Sequence, residues 1–292
     1  MNPLSPEPLE PERILPERGM PEMIEPDWPA PDRVKAYSTT REGGVGTGDY
    51  ASFNLADHVG DAPERVARNR AILRDHLGLP SEPLWLRQVH GCRLAGADAA
   101  VASDARDLGG CEADGAVTGE AGAVCVVMTA DCLPVLMCDD QGTRVAAVHA
   151  GWRGLADGIL ERAIAAMVSS SVRSASERIP PERLLVWLGP AIGPDAFEVG
   201  PEVRERFLEA DPGAIGAFRA SRDGRFLADL AGLARRRLAR LGVTGVYGGG
   251  YCTHSDPRHF FSYRRDGVTG RMASLIWLDG DGAAAAGDTQ DA

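Results

Sequence analysis

Lysine is almost missing from this chain. Lys35 is the only one in 292 residues, and arginine carries nearly all the positive charge. That skew reflects the base composition of the coding sequence and says nothing of function. A basic block is missing too, and the net charge is −11. An acidic chain without a segregated basic face repels polyanions, so no nucleic-acid partner is expected. No apolar run approaches the roughly 20 residues of a membrane span, so no membrane partner is expected either. The opening Met1-Asn2-Pro3-Leu4-Ser5-Pro6-Glu7 has no basic n-region and no apolar h-region, which argues against a signal peptide and for the cytoplasm. Cysteine is scarce. None of the six forms a CxxC pair, so a disulfide framework is not expected. Cys125 and Cys138 lie inside apolar runs, where cysteine acts as a small hydrophobe.

What is present divides simply. Residues 1–33 are rich in Pro and Glu and read as a disordered tail. Residues 281–292 are mostly Ala, Gly and Asp and read as a second flexible tail. Between them, 34–280 contains no linker and no repeat, which predicts one domain. Asp61 as cap, Pro63 and Glu64 predict a helix that runs to Leu77 and stops at Gly78. Helical spacing recurs over 155–168, 203–208 and 227–241. Strands are predicted over 84–89, 123–128, 133–138, 145–149, 184–188, 243–247 and 273–278. Several of these are apolar throughout, as strands buried on both faces are. The fold class is therefore α/β or α+β, with a largely buried sheet under helices.

Three possible metal ligands fall at ends of such runs: His90 in Gln88-Val89-His90-Gly91, Cys132 in Thr129-Ala130-Asp131-Cys132-Leu133-Pro134, and His149 in His149-Ala150-Gly151-Trp152-Arg153-Gly154. Two imidazoles and a thiolate form a good zinc set, and three protein ligands leave one position open, as catalytic zinc sites do. The same residues would serve a cysteine hydrolase, with Cys132 as nucleophile and His149 or His90 as its base. Arg153, where a glycine-flanked turn enters a helix, is a candidate anion ligand, and Arg41 in Thr40-Arg41-Glu42-Gly43-Gly44 raises the same question. Either arginine could instead serve a turn or an ion pair. Asp131 could orient a histidine or act as a base; Asp114, followed by Gly115, reads as turn chemistry. The late block Tyr251-Cys252-Thr253-His254 and Phe260-Phe261-Ser262-Tyr263-Arg264-Arg265 could stack a flat ligand or pack a rim.

Residues 37–279 resemble the laccase-domain family, also called the YfiH or multicopper polyphenol oxidase family and the peptidoglycan editing factor group. The resemblance rests on Thr40-Arg41-Glu42-Gly43-Gly44-Val45, on Phe53-Asn54-Leu55 with His58-Val59-Gly60-Asp61, and on the motifs around His90, Cys132 and His149. Gly189-Pro190-Ala191-Ile192-Gly193 and the stretch from Phe260 to Gly267 with Thr269-Gly270-Arg271 complete it. His254 departs from the pattern, which suggests an aromatic there. The resemblance implies a single domain layered αββα with a mixed sheet. It implies a metal site at His90, Cys132 and His149, usually zinc. It further implies purine nucleoside phosphorolysis on adenosine, inosine, guanosine and methylthioadenosine, with adenosine deamination as a side activity. Phosphate would fall to Arg41 and Arg153, and a monomer is favoured. The chain has six histidines and no His-x-His pair, which argues against a four-copper laccase, since such centres are built from many imidazoles. A single copper, and with it polyphenol oxidation, stays open. So does an amidase acting on peptidoglycan precursors.

Overall fold

Alternate residues of the buried strands face two different cores, and this sets the architecture. The structure, a computed structural model, describes residues 14–15, 20–97, 111–169 and 178–280. Its strands are β1 (Ile14–Leu15), β2 (Met23–Ile24), β3 (Val34–Thr39), β4 (Leu94–Gly96), β5 (Gly115–Thr118), β6 (Cys125–Thr129), β7 (Leu133–Asp139) and β8 (Val145–Ala150), followed by β9 (Leu184–Leu188), β10 (Glu198–Val199), β11 (Phe218–Ala220), β12 (Phe226–Ala228), β13 (Gly245–Gly248) and β14 (Met272–Leu278). The helices are α1 (Pro63–Leu77), α2 (Trp152–Asp157), α3 (Ile159–Val168), α4 (Pro201–Ala210), α5 (Leu230–Arg240) and the single turn α6 (Tyr263–Asp266).

One sheet has the order β1-β2-β3-β14-β6 and is antiparallel throughout. The other has the order β13-β9-β7-β8-β5-β4 and is mixed, with parallel pairs at its two edges. Cys125, Val127 and Ile276 of the first sheet meet Leu136, Cys138, Ala147 and Trp187 of the second in the central core. Val126, Leu275 and Trp277 point the other way and pack with Leu73 of α1. Val135, Val148 and Val186 point away from the centre toward Leu160, Ile164, Leu233 and Leu238 of α3 and α5. Period-two alternation thus yields helix, sheet, sheet, helix in that order. The expected αββα layering is present, and the buried sheet is in fact two stacked sheets. A small sheet, β10-β12-β11, lies beside them.

Several expected elements shift. Residues 84–89 form no strand: only Leu84 and Arg87 make isolated bridges, to Cys125 and Glu112. There the Gln88 side chain does the pairing. It donates to the Met128 carbonyl at 2.8 Å and accepts the Met128 N–H at 2.7 Å. The helix expected over 155–168 begins at Trp152 and breaks at Gly158, whose φ of 96° no β-carbon residue adopts cheaply. Residues 226–228 are strand; the helix after them starts where the Asp229 carboxylate accepts the Gly232 N–H at 2.8 Å. Ala62, not Asp61, caps α1. The expected N-terminal tail of 1–33 is too long. Met23 and Ile24 are buried and pair with Thr39 and Ser38 on one side and with Leu15 and Ile14 on the other. Residues 1–13, 16–19 and 281–292 lie outside the described residues.

Candidate metal centre

The two sheets are joined where β6 ends at Thr129 and β7 begins at Leu133. The three residues between them, Ala130 to Cys132, cross from one sheet to the other. Asp131 makes this crossing with φ 90°, unusual for a residue with a β-carbon. Its carboxylate accepts the Thr253 hydroxyl at 2.7 Å and the Arg264 N–H at 2.6 Å. Asp131 therefore fastens the late polar block to the crossing. His149, near the end of β8, lies opposite Pro134 of β7, so the ladder itself sets it beside Cys132. His90 arrives from the loop that Gln88 pins to β6.

The structure brings His90, Cys132 and His149 together, their ligand atoms all within 4.8 Å of one another. Cys132 Sγ lies 3.7 Å from His90 Nε2. A tetrahedral zinc with ordinary Zn–S and Zn–N bonds places sulfur and nitrogen about 3.6 Å apart, so this spacing fits an ion. The two imidazoles meet edge to face, ring centres 4.8 Å apart. A cradle is kept open around them. A β-carbon on Gly151 would lie 2.9 Å from the His90 ring, 3.1 Å from Cys132 Sγ and 3.7 Å from the His149 ring. His149 is buried, Cys132 half-buried and His90 exposed, so the group is reached from one side.

Asp114 organises two of the three. It is wholly buried. One oxygen accepts the His90 N–H and His149 Nδ1–H, each at 2.8 Å; the other accepts the Gly91 N–H at 2.7 Å and the Val89 N–H at 3.3 Å. The proton on His149 Nδ1 leaves Nε2 free for an ion, as an orienting carboxylate behind a ligand histidine does. The backbone bonds hold His90 at φ 60°, the left-handed region. In the sequence Asp114 reads as a turn residue. Nothing local distinguishes it; its four partners come from β8 and the 89–91 loop, far away in sequence.

Charge follows this geometry. Burial raises the Cys132 pKa, but His149 and then His90 outweigh it and bring the thiol down to about 6. Burial disfavours the His149 imidazolium, yet the Cys132 thiolate and Asp114 raise it to about 9. Burial also works against the Asp114 carboxylate, but His149 and the loop N–H groups bring its pKa below the usual value. Without an ion, the site is a thiolate beside an imidazolium beside a carboxylate.

The expected phosphate arginines lie elsewhere in the bonding pattern. Arg41 donates Nε to Ala51 O at 2.9 Å and Nη1 to Pro257 O at 3.1 Å, and covers the Phe261 ring. Arg153 is exposed and stacks on Trp152, 4.5 Å from the ring centre. No hydrogen bond or ring contact among the described residues ties either to the triad. Of the late aromatic block, Phe260 and Phe261 are buried core, and Tyr263 is 61% exposed.

Known proteins share this arrangement of chain. The profile of the family described as "Multi-copper polyphenol oxidoreductase laccase" matches residues 35–279. This chain belongs to that family. It is 50% identical over 252 residues to a protein of Pseudomonas aeruginosa named purine nucleoside phosphorylase, covering 86% of this chain and 96% of that one. It is 49% identical over 254 residues to the Escherichia coli purine nucleoside phosphorylase YfiH, with the same coverage. A crystal structure of a Neisseria meningitidis protein superposes with a TM-score of 0.80 at 51% identity, covering 88% of this chain and 99% of that one. YlmD from Geobacillus stearothermophilus superposes with a TM-score of 0.81 at 30% identity, covering 92% and 100%.

The family's multi-copper description sits poorly on the side chains present. Among the described residues, the only group of three or more possible ligands is the triad. His58 sits beside Asp57, and His259 lies between Asp256 and Glu22. No helix among the described residues is long and apolar enough to cross a membrane.

Proposed function

We propose that the chain is a zinc-dependent purine nucleoside phosphorylase, acting on adenosine, inosine, guanosine and methylthioadenosine, with adenosine deamination as a side activity. The observation that carries the reading is the convergence of His90, Cys132 and His149 on one point, in a chain about half identical to proteins named for that activity. In phosphorolysis a phosphate oxygen bonds to ribose C1′. The bond from C1′ to the purine nitrogen breaks with its electron pair, and the proton that phosphate brings ends on the purine. A divalent ion at the triad would supply Lewis-acid polarisation. The chain's own residues do the rest: Asp114 fixes the His149 tautomer, Gly151 leaves room above the ligands, and Tyr263 offers an open aromatic face to a flat base.

One observation favours a second reading. Cys132, His149 and Asp114 form a thiolate, imidazolium and carboxylate in series, the arrangement of a cysteine hydrolase or amidase. One set of measurements separates the two. Zinc and copper are quantified in protein purified without added metal, and inosine is supplied with and without phosphate. The phosphorylase reading expects about one zinc per chain, and ribose 1-phosphate only when phosphate is present. Free ribose, or full activity in metal-free protein, refutes it. A Cys132→Ala variant that keeps its zinc but loses turnover would favour the nucleophile reading; bound copper with oxidation of a phenol would favour an oxidase.

A further inference from the structure

Arg271 lies beside the crossing that leads into the triad. The last pair of the β14–β6 ladder is Met272 with Thr129, so Arg271 lies one step beyond it, alongside the crossing that carries Cys132. The residue is fixed at both ends. Its N–H donates to Asn54 Oδ1 at 3.0 Å and its carbonyl accepts the Leu55 N–H at 3.3 Å. Nη1 donates to the carbonyls of Thr269 and Gly270, at 2.9 and 3.0 Å, and the guanidinium lies 5.9 Å from the Tyr263 ring centre. Among the described residues no carboxylate comes within ion-pair distance of it, and neither Nε nor Nη2 has an acceptor. Burial lowers its pKa, while Cys132, Asp131, Tyr263 and Tyr50 act on it in the opposite sense. Both Asp131 oxygens are already engaged, by Thr253 and Arg264. The guanidinium is thus held through Nη1, half-buried, with Nε and Nη2 unused. A guanidinium edge of this kind matches two oxygens of a tetrahedral oxyanion.

We propose that Arg271 binds the inorganic phosphate co-substrate, presenting Nε and Nη2 to two of its oxygens beside the triad. This rests on the phosphorylase reading and assigns the phosphate subsite to Arg271 in place of Arg41, whose Nε and Nη1 already bond to backbone, and Arg153, which is exposed on Trp152. The test uses purified full-length protein and two variants, Arg271→Lys and Arg271→Gln, each checked for unchanged metal content. The KM for phosphate should rise about 10- to 100-fold in Arg271→Gln, the range for losing hydrogen bonds to a charged group, and less in Arg271→Lys. The KM for inosine should change no more than about threefold. Inorganic phosphate alone should raise the Tm of the wild type and not that of Arg271→Gln. An unchanged phosphate KM in Arg271→Gln, with phosphorolysis intact in the wild type, overturns the assignment and leaves the phosphorylase reading standing. If Arg271 only supported the Cys132 thiolate, thiol alkylation would move to higher pH while the phosphate KM stayed put, which also overturns it. A wild type that binds phosphate through Arg271 yet cleaves no nucleoside keeps the oxyanion site but refutes the phosphorylase reading and the co-substrate role. Absence of both phosphate binding and cleavage refutes both.

Discussion

Asp114→Asn should be far more damaging than Asp131→Asn, although both replace a buried aspartate by its closest isostere. Asp114 accepts four N–H bonds and donates none. An asparagine keeps one acceptor and turns the other oxygen into a donor. If its oxygen serves His90 N–H and His149 Nδ1–H, its NH2 group faces the N–H groups of Gly91 and Val89. If it is flipped, the NH2 group faces the His90 N–H and forces His149 to carry its proton on Nε2, where an ion would bind. The first orientation leaves two donors facing a donor in a buried place; the flipped one leaves the His90 N–H facing a donor and puts the His149 proton on the wrong nitrogen. Charge-assisted bonds are worth about 1.5–3 kcal/mol each, so the loss of one or two amounts to roughly 1.5–6 kcal/mol, a large part of an ordinary domain's stability. Ion affinity should fall about 10- to 100-fold as the orienting carboxylate is lost. At Asp131 the partners are the Thr253 hydroxyl and the Arg264 N–H. A hydroxyl can turn to accept, so asparagine satisfies both, and the cost should stay below about 1 kcal/mol. Thermal melts and metal content of the two variants decide the matter. Equal melting temperatures, or an Asp114→Asn protein with wild-type metal content, would refute the reasoning.

Two further outcomes follow from the same geometry. In metal-free protein the Cys132 thiolate is present above about pH 6 and His149 holds its proton to about pH 9, so the ion pair spans that interval. Iodoacetamide should therefore modify Cys132 with a midpoint near pH 6. At pH 7 such a thiol is about 90% ionised, against about 1% for one near 9, and His149→Ala should move the midpoint up; a midpoint above pH 8 in the unmutated protein contradicts the pairing. Removing residues 1–13, rich in Pro and Glu, should leave the melting temperature nearly unchanged, whereas removing 1–24 takes away β1 and the buried Met23 and Ile24. Two such side chains are worth about 3–6 kcal/mol, enough to lower the Tm by roughly 6 °C or more; equal melts for the two truncations would show that β1 and β2 contribute little.

The long apolar runs were legible because burial on both faces leaves no polar residue to interrupt them: Leu184–Leu188 is a strand to the residue, and the runs on either side of Cys132 are strands within a residue or two. The same uniformity hid the partition into two sheets, since a run apolar on both faces does not say which face meets which layer. The triad was legible because each ligand ends or adjoins such a run. What surrounds it was not. Asp114 looks like a turn because its partners are long-range. Gln88 looks like an unremarkable polar residue in a strand, yet its amide replaces the backbone pairing that the strand was expected to make. Glycine turns mark Arg41 and Arg153 in the sequence, whereas the position of Arg271 depends on the β14–β6 register.

His90 weighs most between the two chemistries that the triad could perform. A thiolate with its own imidazole and carboxylate is complete at Cys132, His149 and Asp114, and takes from His90 only a secondary lowering of the thiol's pKa. Yet the fold holds His90 in the left-handed region, at a cost on the order of 1–3 kcal/mol for a residue with a β-carbon. Strain of that kind persists only where the surroundings over-determine it. Here they do, through three consecutive backbone N–H groups on Asp114, the Gln88 clamp to β6 and the bare face of Gly151 against the ring. All of them act to bring His90 Nε2 to 3.7 Å from the thiol. A hydrolase gains little from a second imidazole there. A metal site gains its third ligand.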